Sequence, residues 1–141
     1  VEAGRVKPGQ HFLDLGTGSG VLGIACCKSG LTGEGYDIDM LAVENAIENR
    51  QINGIDGFEV GLGSIDALEG RTYDLVLANI LARPLVDLSQ RIVWACKPGA
   101  CLVLSGLLEI QADSVEEAYM AQCLPKPRRV IDGEWCALVW E

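Results

Sequence analysis

Short apolar runs recur along the chain between glycine- and proline-containing turns, and they predict buried strands. We expect strands at residues 11–15, 35–38, 58–62, 73–78, 101–104, 128–131 and 134–139. The clearest is 73–78, where the run from Leu75 to Ala78 is apolar without alternation. A run of this kind is typical of a parallel strand that is covered on both faces.

Helices are predicted between these strands, at residues 21–28, about 40–52, 83–95 and 109–120. Gly30 is the expected stop of the first helix, and Asn53-Gly54 that of the second. Asp39 is expected to cap the second helix, and a direct cofactor contact is the less favoured interpretation of this carboxylate. Residues 1–6 are expected to form the end of a helix or a linker.

The alternation of strands and helices predicts an α/β, Rossmann-like fold, in which a mostly parallel sheet carries helices on both faces. The last two strands are joined by Asp132-Gly133, which is a hairpin signal. They should therefore add a C-terminal antiparallel hairpin to the sheet. The length of 141 residues, without a repeat or a low-complexity tract, indicates a single domain over residues 1–141.

Composition and charge narrow the function classes. Hydrophobic residues make up 49% and charged residues 22% of the chain, as in an ordinary globular protein. The net charge of −9 argues against direct binding to nucleic acid and is compatible with a basic partner. Lys126, Arg128 and Arg129 form a basic cluster, which we interpret as part of a solvated loop. No apolar run approaches the roughly 20 residues that span a bilayer, so no membrane partner is expected.

Cysteine and histidine usage bears on metal binding and on the compartment. Six cysteines are present without a CxxC pair, and His11 is the single histidine. This pattern offers no Cys/His zinc site, so no structural metal is expected. Most of the cysteines lie within apolar stretches, which is typical of free thiols in a reducing compartment. We therefore predict a cytoplasmic protein, with His11 in a structural role.

The main candidate site is the glycine-rich segment at residues 14–20, which follows a predicted strand and opens a helix. Glycines allow a sharp turn and let a ligand approach the main chain. Ligands of such sheets bind beyond the carboxyl ends of the strands. The candidate cofactor-binding residues of this loop are Asp14, Gly16, Thr17, Gly18 and Gly20.

Two cofactors compete for this loop. A dinucleotide needs GxGxxG directly after the strand. Counted from Gly16, the third glycine would fall at Val21, and the string that starts at Gly18 begins late. The DxGxGxG pattern of S-adenosylmethionine-dependent methyltransferases matches in register. Since the cationic tail of S-adenosylmethionine also suits an acid at Asp14, we predict this cofactor.

Two further segments are expected to complete a nucleoside site. Asp37 and Ile38 end the second predicted strand, where a carboxylate can accept both ribose hydroxyls. Residues 63–66 follow the third strand, where Ser64 or Asp66 could accept from the adenine amine and Ile65 could pack on the ring. A plain turn is an equally good interpretation of this second segment.

Asn79 is the candidate catalytic residue, because a polar side chain at the end of a central apolar strand faces the ligand crevice. Its amide oxygen can accept a hydrogen bond from an incoming amine and aim the nitrogen lone pair at the methyl group. The less favoured alternative is a cap for the following helix. No side chain stands out as a dedicated base, so the amine would lose its proton to water or a carboxylate before a direct in-line displacement.

With these residues in view, the chain closely resembles the ribosomal protein L11 methyltransferases, the PrmA-type family. The glycine loop marks only the large methyltransferase superfamily. More specific to this family are Asn-Ile-Leu-Ala at 79–82, Ser-Gly-x-Leu-Glu-x-Gln-Ala-Asp at 105–113 and Glu-Trp at 134–135. Further matching segments are 6–9, 13–20, 37–39, 42–43, 45–46, 53–54, 73–76 and 84–85.

The resemblance implies a seven-stranded methyltransferase sheet and the methylation of lysine side chains and the N-terminal amine of a ribosomal protein. By position, it implies that the residues contacting the cofactor or the amine are Gly16, Gly18, Asp37 and Asn79. It also places Leu81, Glu109 and Gln111 on the substrate side. The family carries an N-terminal substrate-recognition domain that is not among these 141 residues. We therefore expect a catalytic domain alone, either a fragment or a short relative with another substrate.

Several alternatives remain open. The acceptor could be a lysine of another protein, such as an electron-transfer flavoprotein subunit. A nicotinamide-binding domain would require the other glycine register. A binding-only module would keep the fold and the cofactor without turnover. A nucleic-acid methyltransferase is disfavoured by the net charge and by the lack of an Asn/Asp-Pro-Pro-aromatic motif at Asn79.

Overall fold

The structure, a computed structural model of the chain, describes residues 6–68 and 70–141. Residues 1–5, part of the predicted helix end or linker, lie outside this description. The strands are β1 (His11–Leu15), β2 (Thr32–Asp37), β3 (Phe58–Leu62), β4 (Tyr73–Asn79), β5 (Cys96–Leu108), β6 (Arg128–Asp132) and β7 (Trp135–Trp140). The α-helices are α1 (Val21–Lys28), α2 (Met40–Ile52), α3 (Ala82–Asp87), α4 (Ser89–Trp94) and α5 (Ala112–Met120). Two short 3-10 helices cover Ile65–Leu68 and Glu109–Gln111.

One sheet of seven strands, in the order β3-β2-β1-β4-β5-β7-β6, organises the described residues. The strands from β3 to β5 are parallel to one another, whereas β7 pairs antiparallel with both β5 and β6. The predicted fold class is therefore confirmed, including the C-terminal antiparallel hairpin. The strand order reverses between β1 and β4, so a ligand crevice is expected beyond the carboxyl ends of these two strands.

Two apolar clusters cover the two faces of the sheet, and alternate residues of β4 enter each of them. Val76 and Ala78 pack in the cluster that includes α3, α4 and α5. Leu75 and Leu77 pack in the cluster that includes α1. None of these four side chains is more than 8% exposed. The prediction of a strand covered on both faces is therefore confirmed.

Strand β2 runs from Thr32 to Asp37 and so differs from the predicted 35–38 at both ends. Its start was hard to predict because Gly33 and Glu34 belong to types that are depleted in strands. A Cβ at Gly33 would lie 2.4 Å from the carbonyl oxygen of Phe12, so glycine permits the close approach of β1 and β2. Glu34 is buried beside the Tyr73 hydroxyl, which donates to it at 2.8 Å.

Helices α1 and α2 follow the prediction, but the other two predicted helices are divided. The segment 83–95 forms α3 and α4, because the backbone of Leu88 leaves the helical range at φ −97° and ψ 8°. The segment 109–120 starts as a 3-10 turn before α5. In that turn the backbone N–H of Leu108 donates to Oε1 of Gln111 at 2.9 Å.

Strand β5 is longer than the predicted 101–104 because it continues across two irregularities. The first is the Lys97-Pro98-Gly99 turn, which loops out of the pairing with β4. The second lies near the carboxyl end, where the three steps from Leu104 to Leu107 face two steps of β7. One extra residue in one strand is a β-bulge. Gly106 lies in this bulge with φ +80°.

The terminal hairpin differs from the prediction in its turn and in the surroundings of its arginines. Asp132 pairs with Trp135, so the turn is Gly133-Glu134, one residue later than predicted. The basic cluster is not a solvated loop throughout, because Arg128 and Arg129 lie in β6. Their ion pairs are Arg128 with Glu141 at 3.0 Å, and Arg129 with Asp113 and Glu116, each at 2.7 Å. Among the described residues, no helix has the length and apolar character needed to cross a membrane.

Candidate functional site

The glycine loop between β1 and α1 is built on three left-handed residues. The φ angles are 71° at Gly16, 56° at Gly18 and 84° at Gly20. Residues with a side chain rarely adopt such positive φ angles. A Cβ at Gly20 would lie 3.1 Å from the Cβ of Ala46 in α2, so this glycine also allows the helix to pack closely. A Cβ at Gly18 would meet no atom closer than 4.0 Å. The main chain at Gly18 is therefore open to a ligand.

The end of β2 holds the loop in place. The backbone N–H groups of Gly16 and Thr17 both donate to the carbonyl oxygen of Tyr36, at 2.8 and 3.0 Å. The N–H of Gly18 donates to Oδ2 of Asp37 at 3.1 Å, and the N–H of Asp39 donates to Oδ1 at 2.9 Å. Each carboxylate oxygen thus accepts one backbone hydrogen bond. Each retains a second lone pair for a ligand.

A cleft of about 280 Å³ opens beyond the carboxyl ends of β1, β2 and β4, where the strand order predicts a ligand site. It brings together six of the candidate residues: Gly16, Asp37, Ile38, Ser64, Asn79 and Leu81. The other lining residues are Leu15, Gly63, Ile80, Pro84 and Leu88. Asp37 is the one ionisable side chain among the described lining residues.

Asn79 stands between two glycines of the neighbouring strands. A Cβ at Gly16 would lie 2.5 Å from the backbone oxygen of Asn79, and a Cβ at Gly106 would lie 2.6 Å from its side-chain oxygen. The Asn79 side chain itself is exposed at the cleft. It does not cap the following helix, whose N-cap is Leu81 without a side-chain hydrogen bond.

Asp14 lies beneath the loop rather than in the cleft, which corrects the expected direct contact with the cofactor tail. Its side chain is fully buried, and the Thr17 hydroxyl donates to its Oδ2 at 2.8 Å. Among the described residues, Oδ1 has no hydrogen-bond partner. Burial raises the pKa of Asp14 to about 6, against the opposing effects of the Thr17 hydroxyl and the Gly23 backbone. Thr17 is itself buried, and its hydroxyl contacts Asp14 and not the cleft.

The segment after β3 is only partly at the cleft. Ser64 lines it, but Ile65 is 4% exposed and packs in the core, so the expected stacking of Ile65 on adenine is not what the structure shows. The reason is the 3-10 helix that begins at Ile65 and turns its side chain inward. Asp66 forms an ion pair with Arg91 of α4 and does not line the cleft.

The remaining candidates lie outside the cleft. Glu109 is exposed in the 3-10 turn after β5, and the Gln111 side chain is bonded to the backbone of Leu108. Asp39 caps α2 by accepting a hydrogen bond from the Leu41 N–H at 3.0 Å, so the prediction of a helix cap is confirmed. His11 lies at the amino end of β1, away from the cleft, where its ring stacks on Tyr73 with centroids 5.5 Å apart.

Leu15, Gly63 and four further residues of the site were not predicted as site residues. Ile80, Pro84 and Leu88 line the cleft, and Gly106 borders Asn79. The first three are apolar residues next to Asn79 along the chain, and nothing in their type distinguishes them from core residues. Gly106 carried a usable signal, because it is a glycine two residues after the apolar run predicted as a strand at 101–104.

The cleft suits S-adenosylmethionine better than a dinucleotide. None of the described lining residues is basic, whereas pyrophosphate groups favour positive surroundings. Asp37 in the wall and Asp14 beneath the loop instead favour a cationic ligand. The open main chain at Gly18 leaves room for the polar tail and ribose. No cluster of three or more His, Cys, Asp or Glu side chains in the described ranges is placed to hold a metal.

The strand order and the position of the cleft define a Rossmann-like domain of the class I methyltransferase type. The family model described as "Ribosomal protein L11 methyltransferase (PrmA)" matches residues 2–141. The chain therefore belongs to the ribosomal protein L11 methyltransferase family, as the resemblance predicted. This family depends on S-adenosylmethionine, so the predicted cofactor is confirmed at the level of the family.

Relatives and solved structures agree with this assignment. The chain is 40% identical over 139 residues to a ribosomal protein L11 methyltransferase of Caulobacter sp. (strain K31), covering 96% of the chain and 48% of that protein. For the protein of that name from Campylobacter jejuni (strain 81-176), the identity is 36% over 135 residues, with 96% and 47% covered. The chain thus spans about half the length of these relatives.

Among solved structures, a ribosomal protein L11 methylase from Lactobacillus delbrueckii subsp. bulgaricus has a TM-score of 0.88 and 31% identity, with 95% of this chain and 70% of that chain covered. An RNA methyltransferase from Salinibacter ruber in complex with S-adenosyl-L-homocysteine has a TM-score of 0.73 and 22% identity, with 93% and 79% covered. The second likeness concerns the fold alone.

Proposed function

We propose that this chain binds S-adenosylmethionine in the cleft and transfers its methyl group to an amine of a ribosomal protein, either a lysine side chain or the N-terminus. The observation that carries the proposal is that Asp37 and Asn79 line one cleft together with Gly16, the first glycine of the loop. These groups match the three needs of the reaction, which are an acceptor for the ribose, an open main chain for the tail and an acceptor for the incoming amine.

Asp37 is the residue that would hold the ribose. Its two oxygens are fixed by the N–H groups of Gly18 and Asp39, so the carboxylate is oriented before a ligand arrives. The remaining lone pairs can accept the two ribose hydroxyls. Ser64 and Ile38 stand beside Asp37 in the wall and would border the adenosine.

When bound, S-adenosylmethionine supplies an electrophilic methyl group on a cationic sulfur. Asn79 would accept a hydrogen bond from the amine N–H, which fixes the direction of the nitrogen lone pair. Holding two reactants in this way removes much of the entropic barrier of a bimolecular step. No described lining residue other than Asp37 can take a proton, and Asp37 is assigned to the ribose. The amine would therefore lose its proton to water before it attacks.

The acidic charge of the chain supports a basic acceptor. A net charge of −9 attracts a positively charged protein and raises its encounter rate. The relatives named above carry a ribosomal protein in their names, and ribosomal proteins are commonly basic. We place the reaction in the cytoplasm, where cysteine thiols such as those of Cys26, Cys96 and Cys136 stay reduced.

The test is methyl transfer from S-adenosylmethionine to purified ribosomal protein L11, followed by peptide mass spectrometry. We expect methylated lysine or N-terminal residues with the wild-type chain and a turnover at least about 100-fold lower with Asn79→Ala. Asn53→Ala is the matched control, since Asn53 is exposed at the far end of α2. Equal turnover in Asn79→Ala and wild type would contradict the role of Asn79.

The same assay separates the alternative acceptors. Transfer to an electron-transfer flavoprotein subunit, and not to ribosomal protein L11, would replace the ribosomal acceptor in the proposal. Tight binding of S-adenosylhomocysteine without transfer to any protein amine would identify a binding-only module and overturn the proposed enzymatic function.

A further inference from the structure

Gly106 and Asn79 lie side by side where β5 and β4 end. Ser105 is the direct neighbour of Asn79 in the pairing of these parallel strands, and Gly106 follows it. A Cβ at Gly106 would lie 2.6 Å from Oδ1 of Asn79, which is far inside van der Waals contact. The Asn79 amide oxygen therefore occupies space that any other residue at position 106 would fill.

The β-bulge explains how this space arises. One extra residue between Leu104 and Leu107 bends β5 away from regular pairing with β7. Gly106 adopts φ +80° at this point, which turns its missing Cβ toward Asn79. The backbone of Ile80 is near as well, since its carbonyl oxygen would lie 3.2 Å from the same Cβ. The bulge at Gly106 thus leaves space for the Asn79 side chain and the Ile80 backbone.

We propose that Gly106 is a positioning residue, which fixes where the Asn79 amide lies and so the point at which the incoming amine meets the methyl group. The inference rests on the proposed function and extends it to a residue that need not touch either reactant. On the other side, the backbone of Asn79 packs closely against Gly16, where a Cβ would lie 2.5 Å from the Asn79 carbonyl oxygen. Asn79 is thereby held from both neighbouring strands.

The chain contains a matched control for the backbone strain of a substitution. Gly99 lies in the same strand with φ +79°, against +80° for Gly106, but a Cβ at Gly99 would meet nothing within 4 Å. Gly99→Ala and Gly106→Ala therefore carry similar strain, and only Gly106→Ala displaces the Asn79 amide. Comparable melting temperatures of the two variants would show that both remain folded.

The readout is the ratio of two affinities, measured by calorimetry on the whole chain. S-Adenosylhomocysteine lacks the methyl group, whereas sinefungin carries a primary amine on a carbon that replaces the sulfonium. An amide oxygen held at the reacting position accepts a hydrogen bond from that amine. We expect wild type and Gly99→Ala to bind sinefungin about three- to tenfold more tightly than S-adenosylhomocysteine. Gly106→Ala should lose this preference while its affinity for S-adenosylhomocysteine changes less than about threefold.

A double variant distinguishes positioning from a general structural role. Asn79→Ala should abolish the sinefungin preference by itself, and adding Gly106→Ala to it should then change the affinity ratio no further. In the methylation assay, Gly106→Ala should lower kcat by about 10- to 100-fold with little change in the KM for S-adenosylmethionine. The conservative Gly106→Ser has the same Cβ and should behave like Gly106→Ala.

Two results would overturn the inference alone. One is a sinefungin preference that Gly106→Ala retains, and the other is an equal loss of preference in Gly99→Ala. Equal wild-type affinities for the two ligands would overturn the role of Asn79 and, with it, that of Gly106. A wild-type chain that binds neither ligand would overturn the proposed function itself, which is a different failure from the first two.

Discussion

The backbone N–H of Gly18 donates a hydrogen bond to Oδ2 of Asp37 at 3.1 Å. This contact joins the glycine loop of β1 to the end of β2, and it orients the carboxylate that we assign to the ribose. Asp37→Ala should therefore weaken binding of S-adenosylhomocysteine by about 10- to 100-fold, since a hydrogen bond to a charged group is worth roughly 1.5–3 kcal/mol. Calorimetric titration measures this change.

Asp56→Ala is the control for that experiment, because Asp56 is exposed just before the amino end of β3, whereas Asp37 lies at the carboxyl end of β2. It should bind S-adenosylhomocysteine as tightly as the wild type does. If Asp37→Ala bound equally well, Asp37 would have no part in the cofactor site.

Among the described residues that line the cleft, only Asp37 could take a proton, and its assignment to the ribose predicts a distinctive pH profile. If the amine must lose its proton to water, kcat/KM should rise with pH until the amine is mostly neutral. The profile should level off near the ordinary pKa of the acceptor, about 10.4 for a lysine side chain and about 7.7–8.0 for an N-terminus. Initial rates from pH 6 to pH 10 would therefore also indicate which amine is methylated. A plateau below pH 7 would point to a base within the enzyme.

The buried carboxyl of Asp14 predicts a pH dependence of stability. Its pKa is raised from 3.8 to about 6 by burial. Between these values the folded protein keeps a proton that the unfolded chain has lost, so the free energy of unfolding falls as the pH rises through this window. The resulting loss of unfolding free energy approaches about 3 kcal/mol above pH 6.

Asp14→Asn removes this titration. From pH 4 to pH 7, the unfolding free energy of the variant relative to that of wild type should rise by about 2.4 kcal/mol. Urea denaturation at the two pH values tests this, with Asp56→Asn as an exposed control that should show no such gain. If the unfolding free energies of wild type and Asp14→Asn changed equally with pH, burial would not raise the pKa of Asp14.

A hydrogen bond of Tyr119 joins α5 to α3, the helix that carries part of the cleft wall. The Tyr119 side chain is fully buried in α5, and its hydroxyl donates to the carbonyl oxygen of Leu85 in α3 at 2.8 Å. Tyr119→Phe leaves a buried carbonyl without this donor, which should lower the unfolding free energy by about 1–3 kcal/mol. Chemical denaturation measures the loss, and a change below about 0.5 kcal/mol would show that the bond contributes little.

The fold was predictable from the sequence where its signals are local. The unbroken apolar run of β4 predicted a buried strand, and the glycines at 16, 18 and 20 predicted a sharp turn, which the structure forms with positive φ at all three. The position of Asn79 at a strand end was enough to place it at the crevice. These features depend on the residues themselves and on the general rule for parallel sheets.

Other features depend on tertiary contacts that no local pattern encodes. The full burial of Asp14 beside the Thr17 hydroxyl is a tertiary feature, and the inward turn of Ile65 follows from a 3-10 helix of four residues. The early start of β2 requires partners for Glu34 that come from β4 and the segment before it. The role of Gly106 requires a bulge that is defined only by the pairing with β7.

We propose above all that this cleft binds the methyl donor. A calorimetric titration of the chain with S-adenosylhomocysteine tests this binding, and NAD serves as the comparison ligand. We expect saturable micromolar binding of S-adenosylhomocysteine and no binding of NAD. Binding of NAD in place of S-adenosylhomocysteine, or of neither, would contradict the assignment of the cleft.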